Sequence, residues 1–230
     1  MLNLFVYMPT QFVFASRLDR YVDQKTTINR VGREQGIRRL MAINLLKRLE
    51  SSVHSFRLTI GRIESLVKKT IDEINAFEAG NLLSLEAFEI EGETDDFDLD
   101  DQNTEVFSTG RQVKIDLNDM DYISWRNELI KDAETLELLR LMVEDITPEH
   151  DTKLQTLLNL LAKKIENPIN PGNNKVLVFS AFAETVDYLY KHVSRFIKNS
   201  YGLDTAMITG TVDGRATIPR FHATLNNVLT

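Results

Sequence analysis

The chain contains no cysteine, which excludes a disulfide framework, a Cys-ligated metal centre and a thiol nucleophile. Its four histidines, His54, His150, His192 and His222, are too widely spaced to put two ligands on one helical turn. No apolar run approaches the ~18 residues needed to cross a bilayer. The apolar start, Met1 to Met8, lacks the basic leader and small-residue cleavage site of a secretory signal. A cytoplasmic protein with no membrane partner is the expectation. Proline is absent between Pro9 and Pro148. An interior proline costs a helix roughly 3 kcal/mol, so this stretch permits long helices. No Gly-Lys-Ser or Gly-Lys-Thr tripeptide occurs, so the phosphate loop G-x-x-x-x-G-K-[ST] is missing.

What is present is enough for a core: 230 residues, 43% hydrophobic and 27% charged, the size of one large or two small domains. The net charge of −7 conceals a segregation. Glu86 to Glu105 holds ten acids and no base, which leaves +3 on the other 210 residues. Ile28 to Lys69 holds ten Lys/Arg against Glu34, Glu50 and Glu64. An acidic average therefore does not exclude a polyanionic partner. The basic stretch reads either as a solvated helix face or as an electrostatic track for nucleic acid.

Apolar residues recur at Leu45, Leu49, Val53, Phe56, Ile60, Ile63, Val67, Ile71, Ile74 and Phe77, at spacings of three and four that trace one helical stripe. Ile37, Leu40 and Met41 extend it upstream. The pattern predicts one helix of about forty residues, ~60 Å long at ~1.5 Å per residue, with a bend at Gly61. Gly80-Asn81 is its stop. The acidic block, 86–105, reads as a solvated loop; the alternative is a DNA-mimicking strip folded over the basic helix. Val113 to Leu117 alternates like a strand. Asn118 or Asp119 is expected to cap a helix from about Met120, with Ile123, Leu129, Leu136, Leu139 and Met142 inward. Thr147-Pro148 predicts a helix start, and Asp151 to Glu166 carries an apolar face. Asn167 to Asn174 marks a boundary.

Beyond it the period changes. Lys175-Val-Leu-Val-Phe-Ser180 reads as a strand buried on both faces of a parallel sheet. A helix from Ala183 to Lys198, a strand at Thr205–Thr209 and a helix from Thr217 to Leu229 complete an α/β pattern. Two strands do not make a covered sheet, so the expectation is a truncated domain with an open edge.

Three segments carry a resemblance. Asp151-Thr-Lys-Leu-Gln-Thr-Leu-Leu resembles the helix leading into the second RecA-like lobe of superfamily 2 helicases of the bacterial Swi2/Snf2 type. Lys175-Val-Leu-Val-Phe-Ser-Ala-Phe-Ala-Glu-Thr-Val-Asp-Tyr-Leu resembles motif IV of that lobe, and Gly202 to Gly210 stands where its next strand ends. Leu45-Leu-Lys-Arg-Leu-Glu-Ser-Ser52 with Phe56 is similar to a segment between the two lobes. The resemblance covers roughly residues 37–230. It implies a mixed, mainly α chain: a helical insertion at 1–147, a lead-in helix and linker at 148–174, and a partial α/β RecA-like parallel-sheet lobe at 175–230. It further implies a fragment of an ATP-dependent DNA helicase or translocase, partnered by double-stranded nucleic acid and by the rest of the helicase polypeptide. ATP and magnesium would belong to the parent. This chain lacks the phosphate loop, the acidic metal-binding pair and the arginine finger, so no catalytic residue, metal ligand or cofactor is expected in it and it should not hydrolyse ATP alone.

Ser180, Thr209 and Gly210, at strand tips, are candidates for nucleic-acid backbone contacts, with Ser180 equally readable as a helix cap. Lys47, Arg38 and Arg39 are candidates for phosphate contacts. Arg48 and Glu50 are expected to form ion pairs that dock the helical insertion on the lobe. Trp125 and Tyr122 read as core or, less simply, as base-stacking rings. The competing function is a non-enzymatic helical interaction module, including a homodimer through an exposed stripe or open sheet edge. A nucleotide-binding Rossmann-like domain would need a glycine-rich turn after Ser180, which is absent.

Overall fold

The stripe between Ile37 and Phe77 does fold as helix, but as two helices. α1 spans Arg30–Ser51 and α2 spans Val53–Glu78. The computed structural model describes residues 2–21, 30–80, 85–89, 111–210, 214–221 and 223–224. Ile37, Met41, Leu45, Phe56, Ile60, Ile63, Val67 and Ile74 are buried, whereas Leu49 is exposed. The helix runs unbroken through Gly61. The interruption falls instead at Ser52, whose hydroxyl accepts the Ser55 N–H at 3.0 Å. A serine that satisfies an N–H otherwise given to the helix ladder starts a new helix.

Two compact units emerge. Of the described residues, the first comprises 2–21, 30–47, 57–80, 85–89 and 111–143; the second comprises 48–56, 144–210, 214–221 and 223–224.

In the first unit α3, Tyr122–Glu144, lies antiparallel to α2, since partner numbers rise on one helix as they fall on the other. Arg57 donates to the Val143 carbonyl, Arg140 to Glu64 at 3.1 Å, and Arg126 to Asn75 at 3.0 Å and to Glu78. The Phe77 and Tyr122 rings meet edge-on at 5.4 Å. The cap of α3 is Asp121, which accepts from the Ser124 N–H and hydroxyl. Those bonds hold the Asp121 carboxyl below its ordinary range. The predicted caps sit one turn too early: Asp116 caps the short 3-10 turn Leu117–Asp119. The inward face of α3 is Trp125, Leu129, Asp132, Leu136 and Val143. Ile123 and Met142, expected inside, are exposed.

Asp132 belongs to that face because the N-terminal segment gives it partners. The Asn3 and Phe5 N–H groups donate to its two carboxylate oxygens, both at 2.7 Å. Leu4 between them takes a left-handed φ of 58°, the alternation of backbone states that points successive N–H groups at one anion. Burial still pushes the Asp132 carboxyl up, outweighing the lowering by those N–H groups. Trp125 donates its indole N–H to the Phe5 carbonyl at 3.1 Å, and Thr10 donates to Glu34 of α1. Asp119 gathers Arg17, Arg20 and Tyr21.

Strands β1, Leu85–Glu89, and β2, Arg111–Ile115, pair antiparallel, Leu85 opposite Ile115. The predicted acidic loop therefore begins as a strand over residues 86–89. Its remainder, 90–105, lies outside the described residues, as does any strip folded over α1.

In the second unit α4 spans Thr152–Glu166 and is capped by Asp151, which accepts the Leu154 N–H at 3.0 Å. Pro148 lies in the preceding turn rather than at the helix start. α5 spans Ala183–Tyr201 and ends at Gly202, φ 68°. Among the described residues the expected parallel sheet is not formed. Residues 175–180 belong to neither sheet, and Val176, Leu177, Val178 and Phe179 are exposed, Phe179 at 88%. A buried strand needs neighbours on both edges and cover on both faces, and no described strand adjoins this one. β3, Ala206–Met207, pairs antiparallel with β4, Arg215–Ala216. Where a helix from Thr217 was expected, Pro219 and the left-handed Arg220, φ 61°, make a turn; residues 225–230 lie outside the described residues. Gly214 is required there, because a Cβ would come within 1.8 Å of the Ala223 carbonyl oxygen.

The described residues are mainly helical, and among them no helix is long and apolar enough to cross a membrane. Asp132→Ala strands two part-buried N–H donors, at up to about 1–3 kcal/mol each. Urea unfolding should show a loss of about 2–5 kcal/mol, with Asp132→Asn recovering part of it; a loss below ~1 kcal/mol means those donors find other acceptors. Glu64 is held below the ordinary carboxylate range, first by its hydrogen bond to Lys68 and then, against burial, by the charges of Lys68 and Arg140. Its contribution is present above the unfolded-state pKa and lost as pH falls through the lower folded value. Glu64→Gln should accordingly flatten part of the acid limb of the stability–pH curve, and an unchanged limb excludes this linkage.

Candidate functional site at the α1–α2 junction

The second unit is organised around the break at Ser52. Arg48, one turn before the break, is 2% exposed. Its Nη1 donates to Glu184 Oε2 at 3.0 Å and to the Ser55 hydroxyl at 3.1 Å, and its Cζ lies 4.6 Å from the centre of the Phe182 ring. A desolvated guanidinium thus meets a carboxylate, a hydroxyl and an aromatic face. Thr185, 3% exposed, shares hydrogen bonds with the Ser51 hydroxyl at 2.8 Å and the Ser52 hydroxyl at 2.9 Å. The Ser51 hydroxyl also lies 3.4 Å from that of Ser180. Lys153 donates to the carbonyl of Glu50 and, at 3.3 Å, to that of Ser51. An ammonium there satisfies the last carbonyls of α1 and complements the helix dipole.

A ring ladder extends the junction. His54 stacks on Tyr188 with centroids 4.9 Å apart and planes at 10°, and His192 lies on Tyr188 at 4.8 Å. The Tyr188 hydroxyl donates to Asp151 at 3.0 Å, so the residue that caps α4 also holds α5. Burial, with the charges of Lys191 and Arg195, holds the His192 imidazole below its ordinary pKa.

The structure joins some of the predicted site residues and separates others. Arg48 and Ser180 lie in this junction. Arg48 pairs with Glu184 of α5. Glu50 couples differently: its carbonyl takes Lys153, while the residue itself is exposed. Ser180 is not the cap of α5, whose N-cap position is Phe182 without a side-chain cap. Its hydroxyl accepts the Phe182 N–H at 3.2 Å and so shapes the turn before the helix. Thr209 and the exposed Gly210 follow β3. Lys47 and Arg39 on α1 are exposed and Arg38 is half-buried. At about 100° per residue, Arg38 and Lys47 lie on opposite faces and Arg39 about 80° from Lys47, so the three do not form one track. Trp125, 1% exposed, is core and cannot stack on a base.

Sequence reasoning misses Glu184, Thr185, Phe182, Lys153 and Tyr188. Each acts on residues about 100 or more positions away, or through a hydroxyl or carbonyl that no charge or hydropathy pattern reveals. The motif-IV-like segment that contains Phe182, Glu184 and Thr185 is the one available signal. Removing one member of a buried ion pair costs about 3–5 kcal/mol. Arg48→Ala should lose that much in urea unfolding, while Arg48→Ala/Glu184→Ala should cost clearly less than the two single changes added. Additivity would show that the pair is not coupled.

Comparison with family models, with curated proteins and with solved structures finds no match to the chain, so its functional reading rests on its own residues.

Proposed function

We propose that this chain is the coupling part of a Snf2-type ATP-dependent DNA translocase, in a cytoplasmic setting. In that reading its helical portion docks on the start of a RecA-like lobe and contributes nucleic-acid backbone contacts. One observation carries the reading. Leu45–Ser52 and Lys175–Leu189, which the resemblance picks out independently, are joined through Arg48–Glu184, Arg48–Phe182 and the Ser51–Thr185–Ser52 hydroxyls. A junction so fully paired is suited to transmit displacement rather than to absorb it.

In this reading ATP and magnesium belong to the parent polypeptide. The N-termini of α2, α3 and α4 are occupied by Ser52, Asp121 and Asp151, and two of these caps are carboxylates that repel phosphate. Among the described residues no group of three or more His, Cys, Asp or Glu is placed to hold a metal ion.

The exposed side chains of Lys47 and Arg39 are the first candidates for phosphate contacts, with Arg38 subsidiary. Binding through them would be sequence-independent and salt-sensitive, the logarithm of affinity falling by roughly 0.9 per phosphate neutralised per logarithm of salt. Fluorescence anisotropy with a labelled duplex, at about 50 and about 200 mM salt, tests it. Arg39→Glu/Lys47→Glu should weaken binding at least tenfold and flatten the salt slope. No binding at low salt, with residues 90–105 deleted as well as intact, would overturn the DNA reading.

A second reading, a helical interaction module, is favoured by one observation: Ile123, Ile130, Leu138, Leu141 and Met142 of α3 are all exposed.

A further inference from the structure

The ring ladder of the second unit joins three helices through one tyrosine, and one of its rungs is an imidazole in surroundings that oppose charge. His54, in the first turn of α2, stacks on Tyr188 of α5 with ring planes at 10°, and His192, one turn further along α5, meets the same ring at 4.8 Å. The Tyr188 hydroxyl donates to Asp151 Oδ2 at 3.0 Å, while Oδ1 of that carboxylate takes the Leu154 N–H that starts α4. One ring therefore holds α5 both to the start of α2 and to the cap of α4. All three rings are half-buried, so a proton reaches the imidazoles from solvent.

We propose, independently of the translocase reading, that this ladder is an acid-sensitive latch, in which a proton taken up by His192 draws its ring off Tyr188 into water and loosens the hold of α5 on α2 and on the α4 cap. The charges around His192 set the direction. α5 itself brings Lys191 and Arg195, both exposed and, among the described residues, without an acidic partner. The turn before α4 brings Glu149, His150 and Asp151, and α2 brings His54. An imidazolium gains from the Tyr188 face and from the two acids. Both acids are already engaged, however: Asp151 by Leu154 and Tyr188, Glu149 by the Thr147 hydroxyl. Loss of water and the two neighbouring cations outweigh those attractions, so the closed ladder favours the neutral ring. Among the described residues the His192 nitrogens have no hydrogen-bond partner, and ring contact alone opposes rotation into water.

The proton acts because it binds the open ring more tightly than the closed one. The latch's contribution is present above the ordinary imidazole pKa of about 6.5 and is lost as pH falls through the lower value of the closed state. Each unit between the two values changes the closed-to-open ratio about tenfold.

Amide exchange of the whole chain at about pH 7.5 and about pH 5.5, corrected for the intrinsic rate, tests the latch. Protection at Leu154 and along the first two turns of α5 should fall about three- to tenfold at the lower pH. Histidine NMR titration should place His192 below about 6.5. His192→Gln, neutral at both values, should show the same protection at both. Lys191→Glu/Arg195→Glu, confined to exposed positions, should raise the His192 titration and remove most of the acid loss, the opposite of what general destabilisation would do. If His192→Gln does not fold, the charge reversal decides alone. Equal wild-type protection at the two values overturns the inference, as does a His192 that titrates at or above about 6.5. So do a His192→Gln protein that still loses protection in acid, which would place the titrating group elsewhere, and a charge reversal that leaves the acid loss intact.

Discussion

A charge taken out of water must find its partners inside the protein, or the fold does not form. This chain buries Arg48, Glu34, Glu64, Asp119, Asp132 and Asp151, and the requirement to satisfy them decides much of its architecture. Asp132 draws the N-terminal peptide onto α3. Glu64 ties α3 to α2 through Arg140 and, within α2, takes Lys68. Asp151 starts α4 and holds the Tyr188 hydroxyl of α5. Apolar burial supplies most of the driving force. It is non-directional, however, and the polar partners choose among the packings that hydrophobicity alone would allow.

The α1–α2 junction shows the same logic where function is proposed. The Ser52 hydroxyl takes the Ser55 N–H at the start of α2, and around this interruption Lys153 takes the carbonyls of Glu50 and Ser51, Thr185 the hydroxyls of Ser51 and Ser52, and Glu184 the Arg48 guanidinium. Continuous helix through Ser52 would leave the last carbonyls of α1 inside the ladder, unavailable to Lys153. The junction's partners come from α4, from α5 and from α2 itself.

The helices are legible in sequence wherever a period of 3.6 is written in apolar residues, as along Ile37–Ile74 and in α4 and α5. Legibility fails where polar groups take structural positions. Hydropathy puts Ile123 and Met142 of α3 inward because it does not count Asp132 as a core residue, yet Asp132 sits on the buried face with Trp125 and Leu136. Helix ends shift by a turn because Asp116, Asn118, Asp119 and Asp121 are all credible caps, and only tertiary contact separates them. Arg48 as one member of an ion pair can be anticipated from its surroundings, but its partner Glu184 lies 136 positions away and has no local signature. The run 175–180 has every sequence property of a buried strand and lacks only the neighbours that burial requires; hydropathy reports what a segment prefers, not whether the preference is met.

Trp125 is the one tryptophan of the chain, and it lies sealed in the first unit with its indole N–H on the Phe5 carbonyl. The intrinsic emission of the protein is consequently a local thermometer. It senses the seating of the N-terminal peptide on α3. A melting curve read from tryptophan emission and one read from helical content are thus measurements of different things: the first follows the seating of one peptide, the second every helix of the chain.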